Sequence, residues 1–277
     1  MIFAQWEDRK VILKAKHDRP ENKSILRFDS GSCATDLNRF VSDIRKLIYS
    51  KYNIRYADDD TRLISLLWTG QESNVELLSR NCTLHEQEAQ HALMRSLWSL
   101  IQQEEFLFFR YFSRHEFLPV IHGSCGHVYA VDFAPPTSIL HPDAWHIARL
   151  TRHRWRSKAK AAIGLLDIIK STQNDFHEHL HLCDIKGRNF GIASDGSIKA
   201  IDTDMVYFKS KLESRLAAKA SRCFQHTDCD YFSCSGRCNS TSGRCEQAVT
   251  NNNLEVTRPK HCRVLACSNS EHSLPPI

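Results

Sequence analysis

The spacing of apolar and polar positions predicts a mixture of strands and helices. Three consecutive aliphatic residues predict a short strand over 10–16. Apolar residues three and four positions apart predict helices over 36–52, 60–78, 88–112 and 155–171. Glycine-containing turn signals between apolar runs predict two β-hairpins, one over 120–133 with its turn at 123–126 and one over 189–202.

The second hairpin leads to a prediction about strand register. Asp195-Gly196 is a strong signal for a two-residue turn. Pairing around that turn places Asn189 opposite Asp202 at the open end of the hairpin. Asp184 lies just before the first strand, so two carboxylates and one amide are expected to converge there.

Asp184, Lys186 and Asn189 follow the order D-x-K-x-x-N. Phosphoryl transfer from ATP needs a carboxylate near the acceptor hydroxyl and oxygen ligands for a divalent metal. Asp184 is therefore the predicted catalytic base, and Asn189 and Asp202 are the predicted ligands of Mg²⁺ or Mn²⁺. Lys186 is expected to neutralise charge on the transferred phosphate. Asp204 is the alternative to Asp202.

A lysine and a glutamate complete the predicted ATP site. Lys14 ends the run Val-Ile-Leu-Lys, which is similar to the kinase V-A-I-K strand whose lysine contacts the α- and β-phosphates. Glu105 lies on the apolar face of its predicted helix, where a carboxylate needs a cationic partner. Lys14 and Glu105 are therefore expected to pair. Lys16 and Glu104 are the alternatives.

The order of these elements predicts an α+β class and a two-lobed protein-kinase-like fold. The predicted domains are an incomplete N-lobe with a helical insertion (1–133), a C-lobe with the catalytic and metal-binding loops (134–220) and a cysteine-rich segment (221–277). The chain has 277 residues, which is long enough for such a core. Its net charge of +5 comes from scattered residues, so no nucleic-acid partner is expected.

Cysteine usage predicts an oxidising compartment. The chain has 11 cysteines, most of them after residue 220, and none has zinc-ribbon spacing. Such density favours a disulfide framework, either as a separate stapled module or as an elaboration packed on the main domain. The odd total leaves at least one thiol outside an intrachain disulfide. Sequons at Asn22, Asn81 and Asn239 agree with a secretory route and predict a glycoprotein.

Several stretches resemble the divergent protein kinase domain 1 family, whose members are cysteine-rich kinase-like proteins of the endoplasmic reticulum membrane. They are 96–106, 123–129, 158–166, 182–186 and the cysteine-rich tail, and the resemblance runs from about residue 90 to 265. It implies a lumenal kinase-like domain behind a short cytosolic segment and one membrane span. The sequence itself has no span of about 18 apolar residues. Attachment to the membrane is therefore expected only through an anchor upstream of residue 1.

The resemblance also implies an EF-hand-like insertion before the kinase helix that carries Glu105. The corresponding stretch, about 77–93, has no D-x-D-x-D-G loop, and Leu93 stands where a bidentate acid is required. The acidic run 58–60 lacks the alternate spacing and the glycine of a calcium loop. No calcium site is therefore expected.

Departures from the kinase motifs leave the activity open. The usual H-R-D is Leu182-Cys183-Asp184, the usual D-F-G is Asp202-Thr203-Asp204, and no Gly-rich loop precedes Lys14. One hypothesis is an ATP- and metal-dependent phosphotransferase of the secretory pathway, with an unknown acceptor. The second is a pseudokinase that acts as a binding or regulatory module. The third is a secreted interaction domain that keeps only the kinase pattern.

Overall fold

The described part of the chain is a mixed α/β structure. The computed structural model describes residues 2–6, 8–15, 33–57, 59–68, 76, 78, 84–136, 152–219 and 222–257. The helices within these ranges are α1 (Cys33–Tyr52), α2 (Asp60–Leu67), α3 (Leu84–Ile101), α4 (Glu104–Tyr111), α5 (Arg152–Asn174), α6 (Lys209–Ala217) and α7 (Asn253–Thr257). The strands are β1 (Ile2–Trp6), β2 (Arg9–Lys14), β3 (Ile121–Cys125), β4 (Val128–Asp132), β5 (Leu180–Leu182), β6 (Phe190–Ile192), β7 (Ile198–Ala200), β8 (Val206–Phe208), β9 (Cys238–Asn239) and β10 (Arg244–Cys245). The two-lobed arrangement and the domain limits stay predictions.

A four-stranded antiparallel sheet has the order β1-β2-β4-β3. The strand predicted for 10–16 corresponds to β2, on which Val11 and Ile12 are almost fully buried. In the pairing of β2 with β4, Lys14 lies opposite Tyr129. The sheet therefore holds Lys14 at the end of an inner strand, beside a buried tyrosine.

The single helix predicted for 88–112 is wrong, because the structure has two helices there, α3 and α4. Gln103 interrupts the helical path with an extended backbone (φ −80°, ψ 111°). Its buried side-chain amide donates a hydrogen bond to the carbonyl of His127 at 2.8 Å, in the β3–β4 turn. This hydrogen bond attaches the break between α3 and α4 to the turn of the sheet. Glu105 consequently lies in the first turn of a separate helix.

The other predicted helices differ mainly at their ends. The helix expected over 60–78 ends at Leu67, and Trp68 is extended (φ −88°, ψ 136°). Residues 69–75 lie outside the described part of the chain. The helices α1 and α5 match the predictions for 36–52 and 155–171 within three residues at each end. None of the helices in the described ranges has the length and apolar character that a membrane crossing requires.

The turn of the first hairpin lies later than predicted. Cys125 pairs with Val128, so the turn consists of Gly126 and His127 rather than 123–126. Gly126 has a φ of 58°, a conformation that glycine adopts without a steric penalty.

The register predicted for the second hairpin is wrong by one residue. Phe190 pairs with Ala200. The backbone N–H of Ile201 donates to the carbonyl of Asn189 at 2.9 Å. Asn189 therefore lies opposite Ile201 instead of Asp202.

A three-residue loop explains this shift. The N–H of Gly196 donates to the carbonyl of Ala193, and the N–H of Ala193 donates to the carbonyl of Ser197, both at 2.9 Å. The carboxylate of Asp195 accepts a hydrogen bond from the N–H of Ser197 at 2.8 Å. With Gly196 at a φ of 84°, these bonds form a type I turn followed by a glycine bulge. An Asp-Gly pair suits this loop as well as a two-residue turn.

The disulfide framework is confirmed by three bonds among the described residues, Cys183–Cys234, Cys223–Cys238 and Cys229–Cys245. The sulfurs of Cys223, Cys229 and Cys238 lie close together, and each of them is in a disulfide. Cys125 carries an exposed free thiol. Because Cys183 directly precedes Asp184, the first bond fastens the tail to the loop that is predicted to be catalytic. The described tail is therefore packed on the main domain and is not a detached module.

Candidate active site

Lys14 and Glu105 form a nearly buried ion pair. Lys14 Nζ lies 2.6 Å from Glu105 Oε1, and the two side chains are only 11% and 12% exposed. The same ammonium group donates a hydrogen bond to the carbonyl of Ile201. One cation therefore holds together strand β2, helix α4 and the backbone directly before Asp202.

Tyr129 is a third member of this cluster. Nothing in its sequence context predicted that it would contact Glu105. Its hydroxyl donates to Glu105 Oε1 at 2.5 Å, the same oxygen that Lys14 contacts. Burial raises the pKa of Glu105 above its ordinary value, and Lys14 and the Tyr129 hydrogen bond offset only part of this rise. Burial also raises the pKa of Tyr129, and the charge of Glu105 raises it further. The tyrosine therefore stays protonated and acts as a donor that helps to hold Glu105 as a carboxylate.

The predicted catalytic loop brings Asp184, Lys186 and Asn189 together. The side-chain amide of Asn189 donates to the backbone carbonyl of Asp184 at 2.8 Å and to its Oδ2 at 3.2 Å. Lys186 Nζ lies 2.7 Å from Asp184 Oδ1. Asn189 ends a single 3₁₀ turn (Gly187–Asn189) and is buried. Because its nitrogen is used by Asp184, its amide oxygen is the atom left for a cation.

Asp202 meets this loop in spite of the register shift. Asp184, Asn189 and Asp202 line one narrow cleft of about 10 Å³, the space of a single water-sized sphere. Asn189 is at the end of the 3₁₀ turn and Asp202 follows β7 by two residues, so their convergence does not require direct strand pairing. Carboxylate and amide oxygens suit Mg²⁺ and Mn²⁺.

A larger cleft of about 420 Å³ shares Asn189 and Asp202 with the narrow cleft. It contains Lys14, Glu105, Asn189 and Asp202, four of the predicted site residues. The remaining lining residues are Ala15, Gln103, Tyr129, Pro136, Arg188, Ile201 and Asp204. This volume lies within the usual range for small-molecule pockets. Asp184 and Lys186 are not among its lining residues, and Asp184 reaches the site through the narrow cleft.

The alternatives that the sequence left open have different outcomes. Glu104 forms an ion pair with Lys51 instead of Lys14. Lys16 lies outside the described residues. Asp204 lines the same 420 Å³ cleft as Asp202, so the structure does not choose between the two carboxylates.

Arg188 is a second residue that was not predicted. It is exposed and lies on the 420 Å³ cleft, one residue before Asn189. The signal was its place between the lysine and the asparagine of the motif. It adds a guanidinium group to a cleft whose other cation, Lys14, is already paired with Glu105.

Another cleft, of about 840 Å³, lies between α5 and the β6–β7 turn. Its lining includes Lys160, Asp167 and Ser197 but none of the predicted site residues. The carboxylates of Asp184 and Asp202 therefore lie in the two smaller clefts.

The tail supports the strand that leads to Asp184. Asn253 is buried, and its side-chain oxygen accepts a hydrogen bond from the N–H of Leu182 at 2.9 Å. Its amide nitrogen donates to the carbonyl of Leu180 at 2.7 Å and to Thr172 Oγ1 at 2.8 Å. One side chain thus fixes both ends of β5.

Comparison with known proteins agrees with the resemblance noted in the sequence. No solved structure matches the chain. A family model described as the protein-kinase domain of FAM69 matches residues 97–269, more than half of the chain. The match contains Glu105, Asp184, Asn189 and Asp202, whereas Lys14 lies before it. The chain therefore belongs to the family of FAM69 protein-kinase domains.

Proposed function

We propose that this chain is a phosphotransferase that moves the γ-phosphoryl group of ATP to an acceptor hydroxyl. The observation that carries the proposal is the Lys14–Glu105 ion pair, anchored on the carbonyl directly before Asp202. Protein kinases require this type of lysine–glutamate pair together with a metal-binding aspartate. Here these groups share a cleft of about 420 Å³.

The residues divide the reaction between them. Asp184 accepts the proton of the acceptor hydroxyl, whose oxygen bonds to phosphorus while the bond to the ADP oxygen breaks. Lys186, 2.7 Å from Asp184, compensates negative charge beside the transferred group. Lys14 contacts the α- and β-phosphates, and Glu105 with Tyr129 holds that lysine in place. Asn189 and Asp202 would hold Mg²⁺ or Mn²⁺, which neutralises phosphate charge when bound.

We further propose that the reaction takes place in the lumen of the endoplasmic reticulum or later in the secretory pathway. Three disulfides among the described residues support an oxidising compartment. One of them precedes the proposed base directly, so reducing conditions would disturb the site itself.

A pseudokinase is the second candidate, and the motif departures favour it. Cys183 replaces the arginine of H-R-D, and Thr203-Asp204 replace the phenylalanine and glycine of D-F-G. A chain of this kind would bind nucleotide, or a partner, without turnover.

Two measurements on the full chain separate these candidates. The first is the thermal shift caused by ATP with Mn²⁺ or Mg²⁺, because a ligand that binds only the folded state raises its melting temperature. A shift in the wild type that disappears in Asp202→Ala supports the site. Asp167→Asn is the matched control and should keep the shift, because Asp167 is exposed and lines neither of the two clefts that contain Asp202.

The second measurement is ATP hydrolysis or transfer to a hydroxyl-bearing peptide, compared with Asp184→Asn. Turnover that depends on Asp184 supports the phosphotransferase. Binding without any turnover supports the pseudokinase. No thermal shift with either metal contradicts the phosphotransferase and a nucleotide-binding pseudokinase, and leaves a pseudokinase that binds a partner.

A further inference from the structure

A separate cavity of about 340 Å³ lies behind the aspartate segment. We call it the Lys211 cavity, and its walls come from the end of α1, the start of α4, the chain from Thr203 to β8 and one face of α6. Its lining residues are Ser50, Lys51, Tyr52, Glu104, Phe108, Thr203, Val206, Tyr207, Lys211, Ser214, Arg215 and Ala218. Tyr52 and Phe108 are buried, so the inner wall is aromatic and rigid. None of the proposed catalytic or metal-binding residues lines it.

The charges around the Lys211 cavity do not balance. Its one carboxylate, Glu104, is engaged by Lys51. Lys211 and Arg215 form no ion pair within the described ranges. Lys211 Nζ instead lies 5.5 Å above the ring of Tyr49.

Within the described ranges, the hydrogen bond and the ring contacts of Arg215 are made with tyrosines. Its guanidinium carbon lies 4.7 Å from the ring centre of Tyr207. It also donates a hydrogen bond to the hydroxyl of Tyr231 at 3.2 Å. The ring contacts fix the plane of the guanidinium group and leave its charge uncompensated by a carboxylate.

The positions of these two cations on α6 carry an energetic cost. Lys211 and Arg215 are four residues apart on one helix face, where like charges destabilise a helix. Lys211 also lies in the first turn of α6, where the helix dipole disfavours a positive charge. The helix dipole favours the positive charge of Arg215 in the last turn, but it does not favour that of Lys211 in the first turn. An anion between the two cations would remove both penalties.

A second, independent feature lies in the wall of the same cavity. Thr203 is only 4% exposed, and its Oγ1 has no hydrogen-bond partner among the described residues. A buried hydroxyl without a partner is unfavourable. A hydroxyl can donate to an anionic oxygen, so a rotation of the Thr203 side chain toward the cavity would let one ligand accept this hydrogen bond and neutralise Lys211 and Arg215.

We propose that the Lys211 cavity binds a phosphate group, either free or carried by a phosphorylated side chain. Arginine recognises the paired oxygens of phosphate through its planar fork, and lysine adds a point charge. A volume of about 340 Å³ exceeds that of a single phosphate and leaves room for the atoms that carry it.

The cavity is placed to influence the nucleotide cleft, a consequence that rests on the proposed function. Thr203 stands between Asp202 and Asp204, and Glu104 is next to Glu105. A phosphate that draws Thr203 toward Lys211 therefore also fixes the carboxylates on either side. Linkage requires that the anion and the nucleotide change each other's affinity by the same factor.

The test uses the full chain without nucleotide, at constant ionic strength with chloride as the balancing anion. The probes are inorganic phosphate, a phosphoserine peptide and the same peptide without phosphate, measured by calorimetry and thermal shift. Saturable binding of inorganic phosphate shows that the free ion suffices. Binding of only the phosphopeptide shows that the carrier contributes, and both results agree with the proposal.

Variants locate the binding. Lys211→Gln and Arg215→Gln should each weaken it at least tenfold, while Lys209→Gln, on the same helix but outside the cavity, should not change it. Arg215→Lys preserves charge and should weaken binding less than Arg215→Gln, which separates recognition from misfolding. Circular dichroism verifies the fold of each variant.

Three results would overturn the proposal. They are the absence of saturable binding, equal binding by Lys209→Gln and Lys211→Gln, and loss of binding in Lys14→Met but not in Lys211→Gln. The last result would place the anion in the nucleotide cleft. The phosphate measurement contains no ATP, so its result is independent of the nucleotide thermal shift. If the chain binds phosphate in the Lys211 cavity but shows no shift with nucleotide, the phosphotransferase is refuted and the phosphate site stands.

Discussion

Cys183 is joined by a disulfide to Cys234, 51 residues further along the chain, and both are fully buried. The backbone around this bond is also fixed. The N–H of Ser233 donates to the carbonyl of Cys183 at 2.7 Å, and the N–H of Cys183 donates to the carbonyl of Met205 at 2.9 Å. The tail and the segment after Asp202 therefore meet at the residue that precedes the proposed base.

Removal of the Cys183–Cys234 bond should lower both stability and nucleotide affinity. The double change Cys183→Ala/Cys234→Ala is expected to reduce the free energy of unfolding by about 4 kcal/mol. It should also weaken ATP binding, because the loop that holds Asp184 loses its anchor. Denaturant unfolding and a calorimetric titration of ATP measure the two effects.

The control for this bond is Cys229→Ala/Cys245→Ala, which removes a disulfide confined to the tail. It should reduce stability but leave the ATP affinity of the folded protein nearly unchanged. Equal loss of affinity in both double variants would contradict a specific role of Cys183–Cys234.

Asn253→Ala should be among the more damaging single changes in the tail. The side chain makes three hydrogen bonds, at 2.7, 2.8 and 2.9 Å, and its loss leaves buried β5 groups unpaired. We expect a loss of about 2–3 kcal/mol in the free energy of unfolding. Asn174→Ala, which removes an exposed amide, should cost less than about 0.5 kcal/mol. Urea denaturation compares the two, and similar midpoints would contradict the buttressing role.

Much of the proposed nucleotide site could be predicted from the sequence, because the chemical needs of single side chains and the spacing of one motif were sufficient. A carboxylate on an apolar helix face needs a cation, and Lys14 lies 2.6 Å from Glu105 in the structure. The motif spacing was enough to bring Asn189 to Asp184, since both belong to one tight loop. The hairpin register could not be read in the same way, because Asp195-Gly196 fits two loop lengths that differ by one residue.

Other features depended on distant parts of the chain. The helix break at Gln103 is stabilised by a hydrogen bond to the carbonyl of His127, a contact that no helical periodicity contains. Tyr129 reaches Glu105 only because β4 lies beside β2 in the sheet. The pairing of Cys183 with Cys234 likewise follows from tertiary structure, since cysteine spacing alone allows many pairings.

Lys14→Met should destabilise the protein as well as weaken nucleotide binding. It leaves Glu105 buried without its cation, which costs about 3 kcal/mol. In Lys14→Met/Glu105→Gln the uncompensated charge is absent, so the double variant should be more stable than Lys14→Met. A double-mutant cycle from denaturant unfolding gives this coupling, and strictly additive losses would contradict the pair.

Tyr129→Phe isolates the third group on the same oxygen. The variant keeps the buried ring but loses the hydroxyl that donates to Glu105, and we expect a loss of about 1–3 kcal/mol in the free energy of unfolding. Tyr49→Phe, at a tyrosine that is 44% exposed, should lose less than about 0.5 kcal/mol. If the two variants unfold at the same urea concentration, the hydrogen bond to Glu105 contributes nothing measurable.

His181 should make the stability of the protein depend on pH. Burial lowers its pKa from 6.5 to about 4, nearby His179 and Lys209 lower it too, and Glu178 opposes them. The unfolded chain therefore binds a proton near pH 6.5, whereas the folded chain binds it only near pH 4. As the pH falls between these values, the unfolded state gains protons first, so the free energy of unfolding decreases. His181→Gln should be less sensitive to pH across this window, as measured by urea unfolding at pH 7, 6 and 5. His127→Gln, at an exposed position, should follow the wild-type pH dependence, and the assignment to His181 fails if both variants do.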